Sequence, residues 1–109
     1  MDMEVKRSEV WMVQLNPTIG REINKTRPCM IISPDEANRY LDTVVIAPLT
    51  STIRHYPSRI NCLFAGKKGQ IAIDQIRSVD KLRLTKKLGV LDNITSVEVF
   101  NLLQAYFEN

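Results

Sequence analysis

The sequence predicts a small, mostly antiparallel β-barrel that ends in an amphipathic helix. Five short segments rich in β-branched and apolar residues are separated by turn residues, a pattern typical of small all-β folds. The C-terminal segment instead has apolar residues at helical spacing, namely Val99, Leu102, Leu103, Tyr106 and Phe107. A chain of 109 residues is long enough for one domain, 1–109, with its own core, and too short for two.

The first three strands are predicted from apolar runs that are bounded by proline, glycine or polar residues. They are Glu9–Leu15, Cys29–Ser33 and Val44–Ala47. We expect Pro48 to weaken the end of the third strand, because proline has no backbone N–H to donate. Before that strand, Ser33-Pro34-Asp35-Glu36 predicts a short helix that is capped by Ser33, with Glu36 completing a capping box.

A β-hairpin and the terminal helix are predicted for the second half of the chain. The hairpin strands are Ser58–Ala65 and Gln70–Ile76, joined by a turn at Gly66-Lys67-Lys68-Gly69. Residues 78–82 resemble a turn or one helical turn, and residues 84–91 are ambiguous. A second capping box, Thr95-Ser96-Val97-Glu98, predicts where the terminal helix begins.

Composition argues against several classes of protein. The longest apolar runs are a few residues, whereas about 20 are needed to span a bilayer. The stretch Met1–Arg7 has early acidic residues and no apolar core of a secretory signal, so we expect a cytoplasmic protein. Cys29 and Cys62 lie in apolar runs and are expected to be buried free thiols. With the single His55 they lack the paired spacing of a zinc site, so no metal is expected.

Positive charge is concentrated in two parts of the chain. The net charge is +3, yet residues 43–73 contain no Asp or Glu and carry four of the basic side chains, Arg54, Arg59, Lys67 and Lys68. A second stretch carries Arg77, Lys81, Arg83, Lys86 and Lys87 against Asp80 alone. The pattern fits either a solvated basic surface or a face that follows nucleic-acid phosphates, with Tyr56 as the obvious aromatic side chain for base stacking.

None of the common catalytic motifs is present, but a few polar residues stand out because they lie at strand ends or in the loop before one. Arg27 begins the second strand, Thr50 and Ser51 follow the third, and Glu22 lies in the loop before Arg27. Strand ends gather at one rim of a small barrel, so these side chains are expected to converge. The alternatives are a surface salt bridge between Arg27 and Glu22, and turn capping by Thr50 and Ser51.

The order of short motifs resembles the MazF/PemK family of toxin endoribonucleases from bacterial toxin–antitoxin systems. The matching stretches run in family order over nearly the whole chain: Glu9–Thr18, Gly20–Glu22, Arg27-Pro28, Ser33–Asp35, Asn38-Arg39, Ala47–Ser51, Tyr56-Pro57, Asp74–Asp80 and Arg83-Leu84. The resemblance implies an SH3-like barrel of the CcdB/PemK type with a C-terminal α-helix. It also implies a homodimer that cuts single-stranded RNA, such as messenger RNA, at short sequences. The reaction needs no metal or other cofactor, and a cognate antitoxin with an acidic, partly disordered tail neutralises the toxin.

The resemblance also assigns roles to individual residues. Arg27 and Thr50 match the family's catalytic arginine and threonine, and Glu22 matches a loop glutamate implicated in some members. Asp74 matches an aspartate proposed as the base in the PemK-like branch, but Ala72 stands where that branch has an arginine. The general base is therefore open between Glu22 and Asp74, and Asp74 could equally hold the loop backbone together. The residues expected to contact RNA are Asn16, Ser51, Asp74 and Gln75, with Arg54, His55 and Tyr56 along the groove.

Two other functions share features with this sequence. A CcdB-like poison of DNA gyrase would have the same barrel and no nuclease activity, but it would not need the Arg27-Pro28 and Thr50-Ser51 matches. An SH3-like adaptor would bind a peptide in an aromatic groove, and aromatic residues make up only 6% of this chain. The sequence therefore favours the nuclease.

Overall fold

The structure, a computed structural model, describes residues 4–109. Met1–Met3, which begin the N-terminal stretch Met1–Arg7, lie outside the described residues. The strands are β1 Glu9–Gln14, β2 Thr26–Ile31, β3 Thr43–Thr50, β4 Arg59–Phe64, β5 Lys67–Ala72, β6 Arg77–Asp80 and β7 Leu84–Val90. The helices are α1 Asp35–Tyr40 and α2 Asn93–Tyr106. Single 3₁₀ turns occupy Ile73–Gln75 and Lys81–Arg83.

The strands form one antiparallel sheet in the order β4-β5-β3-β2-β1-β7, with β6 paired to β3. Strand β3 is the centre of this arrangement. Its first half, Thr43–Ile46, pairs with β6, and its last two residues, Leu49 and Thr50, pair with β5. The prediction of a mainly β fold with a C-terminal helix is confirmed.

Aliphatic side chains form two buried clusters. One includes Val13, Cys29 and Ile46, and the other includes Met30 and Ile71. Helix α2 covers the second cluster with Val99, which is fully buried, and with half-buried residues that follow it, Phe100, Leu102 and Leu103. Tyr106 and Phe107, which have the same helical spacing, are exposed.

The cysteines are free thiols, as predicted. Burial raises the pKa of Cys29 to about 12. Cys62 is half-buried, and its burial together with the nearby charge of Asp92 also raises its pKa.

Strand β3 and the β4–β5 hairpin differ from the prediction at proline and glycine. The strand continues through Pro48 to Thr50. Pairing with β6 ends at Ile46 and pairing with β5 begins at Leu49, so Pro48 lies between the two partners, where no N–H is needed for either. The hairpin turn is Ala65-Gly66, with φ of 51° and 76°, as a two-residue type I′ turn requires. The predicted Gly66–Gly69 turn is therefore wrong, and Lys67 and Lys68 belong to β5.

Both predicted capping boxes are also wrong. Helix α1 begins after Pro34 without a side-chain cap, because the Ser33 hydroxyl donates to Asn38 Oδ1 and accepts from Val45 N instead. Helix α2 begins three residues earlier than the box implies, because its N-cap is Asp92 and not Thr95. Asp92 caps it by accepting from Thr95 N at 2.9 Å, and hydrogen bonds from the Thr95 backbone and hydroxyl lower the Asp92 pKa.

The turn predicted for residues 78–82 is wrong for residues 78–80, which belong to β6, whereas residues 81 and 82 lie in the 3₁₀ turn Lys81–Arg83. The ambiguous residues 84–91 form strand β7 up to Val90. Within residues 4–109, none of the helices has the length and apolar character that crossing a membrane requires.

Candidate active site

Arg27 and Thr50 lie at the facing ends of β2 and β3. The register between these strands pairs Cys29 with Pro48 and Met30 with Ala47. Continued by two residues, the same register sets Arg27 opposite Thr50, and directly opposed residues of an antiparallel pair point to the same face. Both line one cleft of about 380 Å³, together with Ser51. The structure thus brings together three of the side chains expected at strand ends.

The guanidinium of Arg27 is held at one nitrogen and available at the other two. Its Nε donates to the Asn24 carbonyl at 3.0 Å. Within residues 4–109, the two terminal nitrogens make no hydrogen bond to protein, and no salt bridge joins Arg27 to Glu22. These two nitrogens can therefore donate hydrogen bonds to two oxygens of one anion, such as a phosphate.

Thr50 is buried at the floor of the cleft, with 6% of its surface exposed. Its Oγ1 accepts a hydrogen bond from Thr52 N at 3.1 Å, which fixes the side-chain rotamer. Because the oxygen is the acceptor here, the hydroxyl hydrogen can still be donated to a ligand in the cleft. Thr50 therefore caps the turn, as the alternative interpretation proposed, and also lines the cleft.

The remaining wall of the cleft is apolar with two lysines at its edge. Lys67 and Lys68 of β5 supply the charge, and the apolar part is formed by Met12, Pro28, Leu49, Cys62, Phe64 and Leu88. A cleft with an apolar wall and a basic rim suits a polyanion that also carries flat, uncharged groups. Sequence reasoning did not assign Lys67 or Lys68 to the site, although both lie in the stretch without acidic residues.

Glu22, Asp74 and Gln75 line a second, smaller cavity of about 210 Å³. Pro48 is also in its wall, whereas the next three residues, Leu49–Ser51, line the first cleft. Glu22 is exposed, and its Oε1 accepts a hydrogen bond from Ile19 N within the β1–β2 loop. The candidate site therefore consists of two neighbouring cavities, and Glu22 does not share the one that holds Arg27 and Thr50.

Asp74 forms a double hydrogen-bonded ion pair with Arg59. The Arg59 Nε lies 2.7 Å from Oδ1, the Nη2 lies 3.1 Å from Oδ2, and Ser58 Oγ also donates to Oδ1 at 2.9 Å. Burial by itself raises the Asp74 pKa, but the hydrogen bonds from Arg59 and Ser58 outweigh it, so the pKa lies below its ordinary value. Arg59 is directly opposite Ala72 in the β4–β5 register. Position 72 thus lies opposite an arginine of the adjacent strand that contacts Asp74, and sequence reasoning placed this arginine only in the basic stretch.

Gln75 and Asn16 hold the β1–β2 loop in place. The Gln75 side chain accepts from Ile23 N at 2.9 Å and donates to the Arg21 carbonyl at 3.3 Å. Asn16 Oδ1 accepts from Lys25 N at 3.1 Å, closing the same loop at its base. Gln75 and Asn16, two of the residues predicted to contact RNA, therefore form hydrogen bonds within the loop that carries Glu22.

The β3–β4 loop, residues 51–58, carries the other predicted groove residues. Arg54, His55 and Tyr56 are exposed, and none of them lines either cavity. The guanidinium carbon of Arg59 lies 5.2 Å from the centre of the Tyr56 ring, a cation–π contact at the end of the loop. In the part of the chain that the structure describes, no group of three or more His, Cys, Asp or Glu side chains is arranged to hold a metal ion.

The fold and the cleft together define a class of small antiparallel β-protein in which an arginine and a threonine line one cleft. The chain belongs to the family of PemK-like, MazF-like toxins of type II toxin–antitoxin systems, whose sequence model matches residues 6–107. This confirms the resemblance seen in the sequence.

Similar proteins agree with the assignment to this family. The chain is 32% identical over 108 residues to Endoribonuclease EndoA of Bacillus subtilis, covering 94% of this chain and 93% of that protein. It is 33% identical over 105 residues to Endoribonuclease MazF of Staphylococcus epidermidis, covering 91% and 88%. The crystal structure of MazF from Deinococcus radiodurans has the same fold, with a TM-score of 0.85 at 23% identity over 96% of this chain and 97% of that one.

Proposed function

We propose that this protein is the endoribonuclease toxin of a toxin–antitoxin pair and that it cuts single-stranded messenger RNA without a metal ion. The relatives named EndoA and MazF support the activity. The observation that carries the proposal is the common cleft of Arg27 and Thr50, with its basic rim. That cleft offers the donors that RNA cleavage by the substrate's own 2′-hydroxyl needs.

The proposed reaction is an in-line attack of the ribose 2′-oxygen on the adjacent phosphorus. The bond between phosphorus and the 5′-oxygen breaks, which leaves a 2′,3′-cyclic phosphate and a 5′-hydroxyl end. The 2′-hydroxyl gives its proton to a general base, the departing 5′-oxygen takes up a proton from water, and negative charge builds on the phosphoryl oxygens between these steps. The protein has to stabilise that charge and assist the first proton transfer.

Arg27 and Thr50 are the proposed phosphate ligands. The two terminal nitrogens of Arg27 match a pair of phosphoryl oxygens, and an arginine stays charged throughout the reaction. Thr50 adds a hydrogen bond from its hydroxyl. Donors of this kind contribute most where charge develops in the transition state, and losing one typically costs about 10²- to 10³-fold in rate.

Glu22 is the proposed general base. Asp74 is the less suitable carboxylate, because Arg59 and Ser58 occupy its oxygens and its lowered pKa makes it a weaker base. Glu22 lies in an exposed loop, so we propose that it reaches the 2′-hydroxyl when RNA lies across both cavities.

The RNA is proposed to run from the basic hairpin edge toward the second cavity. Lys67 and Lys68 would contact phosphates, and splayed bases would be read through hydrogen bonds to their edges and by stacking. The proposed RNA contacts are Asn16, Ser51, Asp74, Gln75, Arg54, His55 and Tyr56.

A cognate antitoxin is the proposed protein partner, and a homodimer in the cytoplasm is the proposed state of the toxin. Solved neighbours include a MazE–MazF structure from Deinococcus radiodurans, with a TM-score of 0.79 at 25% identity over 96% of both chains. Another is a mycobacterial endoribonuclease in complex with its cognate antitoxin, with a TM-score of 0.79 at 24% identity over 93% of this chain. The charges of Arg27, Lys67 and Lys68 suit an acidic antitoxin tail as well as RNA.

Cleavage of a long, unstructured RNA in excess EDTA tests the proposal. We expect cuts at one short recurring sequence, with 2′,3′-cyclic phosphate and 5′-hydroxyl ends identified by end mapping. Intact RNA after incubation with folded protein free of antitoxin would overturn the proposal, and gyrase binding would then be the next assay.

A further inference from the structure

Gln70 of β5 is a buried amide whose polar atoms are all hydrogen-bonded. Its exposed fraction is 4%. The Oε1 accepts from Arg54 N at 3.0 Å, while Nε2 donates to the Arg54 carbonyl at 3.1 Å and to Asn61 Oδ1 at 3.0 Å. Burying an amide is favourable only when its donors and acceptors are paired, and here each bond has ordinary geometry.

The bonds to Arg54 imitate the pairing of two strands. One side chain accepts from the N–H and donates to the C=O of the same residue, which satisfies both backbone groups at the middle of the β3–β4 loop. The backbone of Gln70 pairs with Thr50 on one side and with Asn61 on the other. Gln70 therefore connects the strand end that carries Thr50 to the loop that leaves it.

The two ends of this loop have anchors of their own. Near the start, Thr52 N donates to Thr50 Oγ1 at 3.1 Å, and at the end Arg59 N donates to the Tyr56 carbonyl at 3.1 Å. Between them lies the Arg54 contact with Gln70. Because the Thr52 bond fixes the Thr50 rotamer, the path of the loop and the direction of the Thr50 hydroxyl are linked.

We propose that Gln70 is a positioning residue for RNA cleavage: it fastens the 51–58 loop at Arg54 and thereby keeps Thr50 and Ser51 facing the cleft. The inference rests on the proposed function. It adds a residue that touches neither the phosphate nor the reacting atoms. Displacing a reacting group by about 1 Å can cost about 10²-fold in rate, so loosening this loop has a measurable effect on turnover.

The test compares Gln70→Val and Gln70→Glu with the wild-type protein and with Gln104→Val, a change at an exposed position of α2. Gln70→Val keeps a strand-forming side chain and removes all three bonds, whereas Gln70→Glu keeps the acceptor for Arg54 N. We expect kcat to fall about 10- to 100-fold in Gln70→Val, with a smaller change in KM and partial recovery in Gln70→Glu. Gln104→Val should cleave at the wild-type rate.

Amide hydrogen exchange separates positioning from general stability. The Arg54 and Thr52 amides should exchange faster in Gln70→Val, while the amides of β1 and β2 keep their protection. If the loop amides loosen and kcat stays at the wild-type value, Gln70 is structural only and the proposal is overturned. Unchanged exchange at Arg54 overturns it as well.

Two further comparisons keep the test decisive. If Gln70→Val does not fold, Asn61→Ala removes one bond of the same set and should give the same exchange pattern with a smaller loss of kcat. If the wild-type protein itself does not cleave RNA, the proposed function fails. If the wild-type protein is active and Gln70→Val is equally active, only the role of Gln70 fails.

Discussion

Gly69 of β5 lies against the backbone carbonyl of Thr50. A Cβ atom placed on Gly69 would be 2.7 Å from the Thr50 oxygen and 3.4 Å from its carbonyl carbon. The contact is with backbone, which cannot turn aside as a side chain can. The close approach of β5 to the end of β3, and with it the floor of the cleft, therefore depends on the absence of a side chain at this position.

Gly69→Ala is expected to destabilise the protein and to displace Thr50. The added methyl group forces the two strands apart, and overpacking of this kind typically costs about 1–3 kcal/mol in the free energy of unfolding. Urea denaturation measures the loss, with Leu63→Ala, an exposed position on the adjacent strand, as the control. Equal unfolding midpoints for Gly69→Ala and the wild type would show that the strands are not in close contact.

Arg27→Ala is expected to abolish nearly all RNA cleavage while the protein remains folded. The change removes both terminal guanidinium nitrogens from the cleft, and a loss of about 10³-fold in kcat/KM is expected. Initial rates on a short oligonucleotide and circular dichroism spectra measure activity and folding. Arg39→Ala, at an exposed arginine of α1, is the matched control. Cleavage at the parental rate by Arg27→Ala would remove Arg27 from the mechanism.

Glu22→Gln is expected to reduce cleavage by about 10²-fold and to remove the acidic limb of the pH–rate profile. The amide can accept hydrogen bonds but cannot take the 2′-hydroxyl proton. Asp74→Asn should keep that limb, because the carboxylate of Asp74 is paired with Arg59 and is not the proposed base. The measurement is kcat/KM across the acidic and neutral range for both variants. Loss of the limb in Asp74→Asn alone would reverse the assignment.

Glu9→Gln is expected to lower the free energy of unfolding by about 2 kcal/mol near neutral pH, because it weakens charged hydrogen bonds in a buried site. Glu9 is buried and accepts from Lys6 N at 2.8 Å and from Trp11 Nε1 at 3.1 Å, and it forms a salt bridge of 2.6 Å with Lys87 Nζ. Burial raises the pKa of Glu9, but the hydrogen bonds from Lys87, Lys6 and Trp11 lower it by more than burial raises it. The pKa in the folded state therefore lies below the ordinary value.

The pH dependence of stability tests the same residue. A carboxyl with a lowered folded-state pKa contributes stability at pH values above its unfolded-state pKa, and this is lost as the pH falls through the folded-state pKa. The difference in unfolding free energy between wild type and Glu9→Gln should therefore shrink as the pH is lowered from neutral to below the ordinary glutamate pKa. A difference that stays constant over this range would contradict the role of the Glu9 charge.

Strands and the terminal helix were predictable because their signals are local. The apolar periods of β1 and α2 come from residues a few positions apart, and Arg27 and Thr50 could be grouped because each adjoins a strand end. The helix caps were not predictable in the same way. Ser33 has the right residue type and position to cap α1, but contacts with Asn38 and Val45, made only in the folded chain, take its hydroxyl.

The supporting residues of the site were beyond sequence reasoning for a related reason. Arg59 reaches Asp74 from 15 positions away, and Gln70 reaches Arg54 from 16 positions away. The register of β4 and β5 brings Arg59 opposite Ala72 and Gln70 opposite Asn61, and the path of the β3–β4 loop brings Arg54 to Gln70. Spacing along one strand does not reveal a partner on the next strand, so the arginine that contacts Asp74 could not be identified from the sequence.

Strand β3 pairs with β6 over its first half and with β5 at its end, so the β4–β5 hairpin and the rest of the sheet meet at the cleft. Arg27 belongs to the part built on β1, β2 and β7, whereas Lys67 and Lys68 belong to the β4–β5 hairpin, which joins β3 through the pairs Leu49–Ile71 and Thr50–Gln70. A strand of RNA, or an acidic antitoxin segment, that touches both groups would tie the hairpin to the remainder of the sheet. Such a ligand would stabilise the hairpin against the rest of the sheet. The bound protein should therefore melt at a higher temperature and resist proteases at the hairpin, even when the RNA is an analogue that cannot be cut.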